Sequence, residues 1–438
     1  MLDTLYTADE MRRTEAGHDV SAMMERAGRA VAEEALRRFP DTASFSAICG
    51  KGANGGDARI ALDALRRAGR KADETLDAEV LIDGLLGTGF HGELRPDTAA
   101  LVEQMNASGA PIVAVDVPTG VNADTGEVAG FAVRATVTVA MHGPKVGNVV
   151  APGRFHGGDL VISDIGLGAQ ETEHRLVSPE ILSLVPPKRP GDTKYRAGSV
   201  LVVGGAPGMT GAACLAAEAA YRADAGYVAV AAPAESMPVL ETRLLEALTR
   251  PLEDVFDAVL HADALAIGPG LGRDESRRSL VRRLLEETEL PAVVDADALF
   301  ALEPVPRDAP TVLTPHAGEL AGLLGVSSAW VDAHRLEAVR RASRDFRSVC
   351  LLKGVDTLVA APGEGVLVCD IGPPSLATAG SGDVLTGVIA AFLAKGMDAR
   401  MAAAAGATLC AVAARLGASR GLVAGDIVAL LPRAFDAR

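Results

Sequence analysis

The stretch Ser375-Leu-Ala-Thr-Ala-Gly-Ser-Gly-Asp-Val-Leu-Thr-Gly387 decides how this chain is read, because its glycine-rich turn opens straight into the apolar run Val388-Ile-Ala-Ala-Phe-Leu-Ala394. Gly380 and Gly382 let successive backbone N–H groups converge without interference from a Cβ. The positive end of the helix dipole adds to them, so the turn predicts an anion hole suited to a phosphoryl group. Asp383 stands beside that hole, where a carboxylate can take the proton of an attacking hydroxyl. Taken alone, the same residues read more simply as a chain reversal and a helix cap. Other segments of the same half shift the balance.

Cys350-Leu-Leu-Lys-Gly-Val-Asp-Thr357 reads as a strand that delivers Lys353, Gly354, Val355, Asp356 and Thr357 within one tight turn. An ammonium, backbone N–H groups and a hydroxyl can there face one polyphosphate; an ordinary β-hairpin is the plainer alternative. Upstream, Gly198-Ser-Val-Leu-Val-Val203 enters the glycine loop Gly204–Gly211, with an alanine-rich helix from Ala212. Leu265-Ala-Ile-Gly268 enters Pro269-Gly-Leu-Gly272, Ala292-Val-Val-Asp-Ala-Asp297 ends in acids, and Thr311-Val-Leu-Thr-Pro-His-Ala-Gly-Glu319 follows the same pattern. Strands alternating with helices predict a mainly parallel sheet covered on both faces. Asp295 and Asp297 could hold water around magnesium, but the reading adopted is that they cap the next helix. His316 reads either as a substrate contact or as a turn histidine bonded to backbone.

Bulk properties bound the function. The chain has 438 residues, 49% of them apolar, with 47 glycines and 3% aromatics. That is the balance of an alanine- and glycine-rich α/β protein of at least two domains. A net charge of −15 argues against a general nucleic-acid or anionic-membrane surface and points to small-molecule partners. The five cysteines, Cys49, Cys214, Cys350, Cys369 and Cys410, lie scattered in apolar runs with no metal or redox spacing, as in a reduced cytoplasmic protein. No signal peptide is predicted, and the apolar run Met401–Ala414 is too short and alanine-rich to span a bilayer.

The first half repeats the strand, glycine loop, helix mechanics. Thr7-Ala-Asp-Glu10 is a capping-box pattern, and Met23–Leu36 has helical periodicity. Phe45–Cys49 runs into Gly50-Lys-Gly-Ala-Asn-Gly-Gly-Asp57 and a helix. Ala78–Asp83 precedes a second glycine loop through Glu93, and Pro111-Ile-Val-Ala-Val-Asp116 precedes Val117-Pro-Thr-Gly120. Asn54, Asp57, Asp83, Asp116 and Thr119 are thereby delivered to one sheet edge, where oxygen donors suit a hard cation or hydroxyl recognition. Helix caps and turn formers would explain each of them singly. The short span from Arg70 to Val80 leaves little chain for another strand.

These motifs resemble two families. Residues 5–165, through Met24–Ala32, the Asn-Gly-Gly-Asp loop, Ile-Asp-Gly-Leu-Leu-Gly-Thr-Gly and Val-Asp-Val-Pro-Thr-Gly-Val-Asn, look like the NAD(P)H-hydrate epimerases. The resemblance implies a Rossmann-like three-layer fold and potassium held by Asn54, Asp83 and Thr119. It further implies hydrated nicotinamide nucleotide contacted by Asn54, Gly55, Gly56 and Asp57, by Gly87, Thr88, Gly89, Phe90, His91, Gly92 and Glu93, and by Asp116 as proton carrier. Ala53 and Ala58 stand where that family has asparagine and glycine, and Thr119 where serine is common. The second half, through the six motifs quoted above, is similar to the ADP/ATP-dependent NAD(P)H-hydrate dehydratases, which are ribokinase-like α/β proteins. That likeness implies magnesium, and ADP or ATP as phosphoryl donor bound by Lys353 to Thr357 and Gly382. It implies hydrate binding by Ala212, Gly270, His316 and Asp383, with Asp383 as the base. Thr193 replaces the family's histidine before Lys194.

The polar join Gly168-Ala-Gln-Glu-Thr-Glu-His-Arg175 puts the boundary at 173, giving domains 1–173 and 174–438. The expected protein is a cytoplasmic homo-oligomer that repairs hydrated NADH and NADPH, without nucleic-acid or membrane partners. The alternative is a ribokinase-like vitamin or sugar kinase with a non-catalytic N-terminal binding module.

Overall fold

The computed structural model describes residues 1–168 and 170–437. It divides into Thr4–Arg175 with Asp332–Leu336, and Met1–Asp3 with Leu176–Val331 and Glu337–Arg438. The boundary expected at 173 lies two residues before this division, and Ala169 is outside the described residues; the short excursions Met1–Asp3 and Asp332–Leu336 carry no sequence signal.

In the first unit, strands β1 (Ser44–Cys49), β2 (Lys71–Asp73), β3 (Val80–Gly84), β4 (Ile112–Val115), β5 (Val137–Met141) and β6 (Asp159–Ser163) form a parallel sheet ordered β2-β1-β3-β4-β5-β6. Successive side chains point to opposite faces, and both faces are covered, so the strands are near-continuous apolar runs. Val80, Ile82, Val113 and Val115 pack with Val31, Ala35, Ala61 and Leu65 from helices α2 (Val20–Arg38) and α3 (Ala53–Arg67). Leu81 and Ile112 meet Val102 and Met105 of α4 (Pro96–Ala107) on the other face. Helix α1 (Ala8–Glu15) carries the capping box its sequence predicts, Glu10 Oε2 accepting from Thr7 N at 2.7 Å. One expectation needs correcting. The span after Arg70 does contain a strand, the three-residue β2, paired parallel to β1 from Ser44↔Lys71 to Ser46↔Asp73. An edge strand needs only that much chain when its ends are tied, as Arg66 Nε ties Ala72 O at 2.8 Å and Ser46 Oγ ties Asp73 O at 2.7 Å.

In the second unit, strands β7 (Ser199–Val203), β8 (Tyr227–Ala232), β9 (Leu248–Pro251), β10 (Ala264–Ile267), β11 (Ala292–Val294), β12 (Thr311–Leu313), β13 (Val349–Leu352), β14 (Thr357–Ala360) and β15 (Leu367–Cys369) run in the order β15-β14-β13-β12-β11-β10-β7-β8-β9. Pairing is parallel from β13 to β9, and antiparallel at β13/β14 and β14/β15. Val200, Val202, Val228 and Val230 face helices α5 (Thr210–Arg222), α7 (Ser381–Ala394), α8 (Ala399–Leu416) and α9 (Ala424–Ala434), whereas Leu201, Val203, Leu265 and Ile267 face the other layer. Helix α6 (Ala317–Leu324) follows β12.

Alanine and glycine let α5 and α7 approach closely: a Cβ on Gly387 would stand 2.0 Å from Ala216 O. Helix α8 is longer than its apolar sequence run, with 18 residues, and by length and composition alone could cross a bilayer. Most of it is buried in the core of this unit. Cys214, Cys350, Cys369 and Cys410 are likewise buried, and Cys49 is half-buried; all five are unpaired thiols.

Candidate active sites

Parallel strands deliver their loops to the carboxyl edge of the sheet, so the chemistry-bearing segments converge there. In the second unit, β12 leads to His316, β13 to Lys353, and Gly380 begins α7 with φ 89°, a left-handed conformation that glycine adopts without strain. These segments border a cavity of 510 Å³, lined in part by His316, Lys353, Gly354, Val355, Thr357 and Gly382. Asp356 is fully buried and does not line it. Ala212, Gly270 and Asp383 are also off its lining. Gly270 O accepts from Ala206 N at 2.7 Å, joining the loop after β10 to the loop before α5. Asp383 sits in the first turn of α7, immediately after Gly382, rather than in the preceding loop.

The centre of this site is Asp295, which is 1% exposed. Its Oδ1 accepts from Lys353 Nζ at 2.8 Å and its Oδ2 from Thr386 Oγ1 at 2.8 Å. This corrects the capping interpretation of the acidic pair. Asp295 precedes the short helix Ala296–Leu299 but makes no side-chain cap bond to it, because its two oxygens are committed to β13 and α7. Asp297 instead accepts from Gly272 N at 3.0 Å and Arg273 Nε at 2.6 Å, pinning the loop after β10. His316 is the N-cap of α6: its Nδ1 accepts from Gly318 N at 3.0 Å and Glu319 N at 3.3 Å, which places the ring proton on Nε2. Glu319 returns the bond, accepting from His316 N at 2.8 Å, and its Oε2 lies 3.7 Å from Lys353 Nζ.

Charge is arranged around one ammonium. Burial pulls Lys353 down, but Asp295, Glu319 and Asp383 outweigh it and hold the group above its usual value. Burial, then the Asp295 charge, pushes Asp383 up to about 6, with Lys353 opposing. Asp383 is therefore a carboxylate at neutral pH with raised proton affinity, the property a general base requires. Three carboxyl groups around one lysine also suit a divalent cation escorting a polyphosphate.

In the first unit, Asp83 is the next-to-last residue of β3 and fully buried. It accepts from Thr119 Oγ1 at 2.7 Å, Thr119 N at 2.8 Å and Leu85 N at 3.3 Å, all uncharged donors. Burial pushes it up to about 6 against these bonds. Asn54 Nδ2 reaches Val115 O at 2.6 Å and Leu86 O at 3.2 Å, and Thr119 Oγ1 accepts from Leu86 N at 3.0 Å. Asn54, Asp83 and Thr119 are thus assembled around Leu86. The donor set is oxygen-rich, and its buried carboxylate has no cationic partner among the described residues, which fits a hard monovalent ion. The segment Gly87–Glu93 leaves directly from this point, with Gly89, His91, Gly92 and Glu93 exposed.

Asp116 follows β4 at φ 66°, an uncommon conformation for a residue with a side chain. The strain is held by its bonds: Oδ1 accepts from Met141 N at 2.9 Å and from Lys145 Nζ, and Asn148 Nδ2 donates to Asp116 O at 3.1 Å. Lys145, which is 0% exposed, gives its remaining protons to Met141 O at 2.7 Å and Gly143 O at 3.2 Å. No sequence motif marks this lysine. The two departures are accommodated: Ala53 is exposed at the first position of α3, and the Ala58 methyl is buried against the bare Cα of Gly84.

Two α/β units, each with glycine loops and ionisable groups at the carboxyl edge of a parallel sheet, define a two-site enzyme that handles a nucleotide-like substrate. Comparison with known proteins gives the family. Residues 200–432 match the NAD(P)H-hydrate dehydratase family profile, and residues 20–74 and 68–147 match that of the YjeF-related protein N-terminus. The chain is 37% identical to the bifunctional NAD(P)H-hydrate repair enzyme Nnr of Moorella thermoacetica, over 94% of this chain and 91% of that protein. It is 32% identical to the Escherichia coli protein of the same name, over 98% and 93%. Among solved structures, the ADP/ATP-dependent NAD(P)H-hydrate dehydratase of Bacillus subtilis, co-crystallised with ATP and Mg²⁺, is 28% identical. It superposes with a TM-score of 0.55 over 59% of this chain and 97% of that one. The chain belongs to the family of bifunctional NAD(P)H-hydrate repair enzymes, and its second unit has the ribokinase-like dehydratase fold. The matches do not favour a vitamin or sugar kinase with a passive N-terminal module.

Proposed function

We propose that domain 174–438 dehydrates (S)-NAD(P)H-hydrate at the expense of a nucleotide, and that domain 1–173 interconverts the R and S hydrates so that both are recovered. The single observation that carries the dehydratase assignment is the Asp295-centred array, which sets Lys353 and Asp383 together at the anion turn of α7. Lys353, Gly354, Val355, Thr357 and Gly382 hold ADP or ATP, with the buried Asp356 shaping their turn; Ala212, Gly270, His316 and Asp383 hold the hydrate. Asp383 takes the proton of the ring hydroxyl as that oxygen is phosphorylated. The backbone N–H groups at Gly380–Gly382 and the Lys353 ammonium meet the charge that develops on the phosphoryl. The ring-nitrogen lone pair then expels phosphate, forming a C=N⁺ bond, and loss of a proton from the adjacent ring carbon restores the ring double bond, giving NAD(P)H with AMP if ADP is the donor. Magnesium, when bound with the nucleotide, supplies charge neutralisation of the phosphoryl group.

In the first domain Asp116 is the proton carrier. Asn54, Gly55, Gly56 and Asp57, with the loop Gly87, Thr88, Gly89, Phe90, His91, Gly92 and Glu93, hold the hydrated nucleotide. Asn54, Asp83 and Thr119 would hold potassium, which supplies a counter-charge for the buried Asp83. The chain is assigned to the cytoplasm as a homo-oligomer. The test of the dehydratase assignment separates binding from chemistry in Asp383→Asn: calorimetry with ADP or ATP is expected to match the wild type, while turnover of the S hydrate is lost. Undiminished turnover would refute the role given to Asp383.

A further inference from the structure

Resting on the reading that the first-domain site takes the hydrate, we propose that Asp57 is a second catalytic residue there, the proton donor to the departing hydroxyl, working opposite Asp116 as acceptor. Asp57 lies near the start of α3, is 6% exposed, and its Oδ1 has no hydrogen-bond partner among the described residues. A buried, unpartnered carboxyl oxygen is costly in a finished fold and is explained when a ligand completes it. Three carboxyl groups, Asp57, Asp116 and Glu15 of α1, repel one another around the single ammonium of Lys145. That ammonium is committed by its hydrogen bonds to Asp116, Met141 and Gly143. Lys145 is therefore spent on Asp116, and Asp57 is left without a cation among the described residues to hold its charge. Burial, with the charges of Asp116 and Glu15, pushes Asp57 up to about 7. A buried carboxyl without a cation beside one bound to an ammonium divides the pair into an acid and a base.

The chemistry balances. Hydration of the nicotinamide ring beside its nitrogen leaves a hydroxyl on a carbon bonded to that nitrogen. Protonation of the hydroxyl by Asp57 breaks the C–O bond and releases water, while the nitrogen lone pair forms a C=N⁺ bond. Water adds to the opposite face of that carbon, forming a new C–O bond, and yields a proton to Asp116. The electron pair returns to nitrogen, and nothing is oxidised or reduced. In the reverse direction Asp116 donates and Asp57 accepts.

The test uses the full chain without ADP or ATP, so that dehydration does not drain the pool. Purified R hydrate is converted towards the R/S equilibrium mixture, followed by chromatography of the two epimers from about pH 5 to about pH 9, with the uncatalysed rate subtracted. Wild-type kcat is expected to fall as pH rises through about 7. Asp57→Asn is expected to lower kcat ~10²–10⁴-fold with KM little changed, and to remove that alkaline fall from the residual rate. Asp57→Glu, which restores a carboxyl, is expected to recover part of the rate and the alkaline fall. If Asp116→Asn is inactive but Asp57→Asn keeps the wild-type rate and profile, or changes KM alone, the donor role is overturned and the site reading stands. Wild-type rates in both variants would overturn the site reading as well.

Discussion

Lys353 and Lys145 each grip an aspartate at the carboxyl edge of a parallel sheet, yet their surroundings give them different work. The Lys353 side chain keeps 22% of its surface accessible at the edge of the cavity, and its partner Asp295 is itself anchored to α7 through Thr386. That ammonium borders the cavity in which the proposed function places the nucleotide. The Lys145 side chain has no accessible surface, and its bonds end on Asp116, Met141 and Gly143. It has no reach towards a ligand and acts through the placement of Asp116. The contrast teaches that a buried lysine is a ligand group only where its partner leaves it an open side.

The largest effect expected is on dehydration. Asp383→Asn keeps size and hydrogen bonding but cannot accept a proton, so turnover with the S hydrate should fall ~10²–10⁴-fold. The wild-type rate should be lost as pH falls through about 6, because protonation removes the base. A profile flat across that range would remove Asp383 from the chemistry. Next, Lys145→Met leaves Asp116 buried without its cation, at a cost of roughly 3–5 kcal/mol, read as earlier denaturant-induced amide exchange in β4 and β5. If those strands keep wild-type protection, Lys145 is not what secures Asp116, and the comparison fails on that side.

Lys353→Met tests the other side of the comparison. Loss of one charged donor should weaken ADP or ATP binding by about 1.5–3 kcal/mol, measured by calorimetry. Unchanged affinity would mean that Lys353 is as closed to ligand as Lys145. The smallest effect is on stability at Asp57. Its folded value is raised, so the folded state holds the proton more tightly than the unfolded chain. The stability this provides is present at low pH and lost as pH rises through about 7. Asp57→Asn should therefore unfold at a higher temperature than wild type at about pH 8, and show a smaller gain at about pH 5. A pH-independent difference would contradict the burial argument.

Features carried by local pattern were legible in the sequence. A strand ending in glycine and opening a helix announces a loop at the sheet edge, and that pattern places Lys353, Gly382, Asn54 and Asp116 there from sequence alone. The capping box at Thr7 and Glu10 is equally local. What escaped depends on partners far away in the chain. Asp295 looks like a cap from its neighbours, but its partners lie 58 and 91 residues on, at Lys353 and Thr386. Lys145 sits in an unremarkable His-Gly-Pro-Lys run, and only the crossover from β4 to β5 brings it to Asp116. Gly387 ends the quoted glycine motif, yet it serves helix packing against Ala216 rather than the anion turn. Strand β2 was missed because three residues carry no periodicity.

The central claim is that one chain holds two sites acting in series on one damaged cofactor. It is tested most directly by supplying an equilibrium mixture of R and S hydrated NADH to the full protein, with ADP or ATP and magnesium, and following recovery of the reduced nicotinamide absorbance. The account predicts two phases, a rapid one that consumes the S hydrate and a slower one that consumes the R hydrate. In Asp116→Ala the second phase should slow to the uncatalysed rate while the first is kept. No recovery with either nucleotide, or a second phase unchanged by Asp116→Ala and equal to the rate without protein, would contradict it.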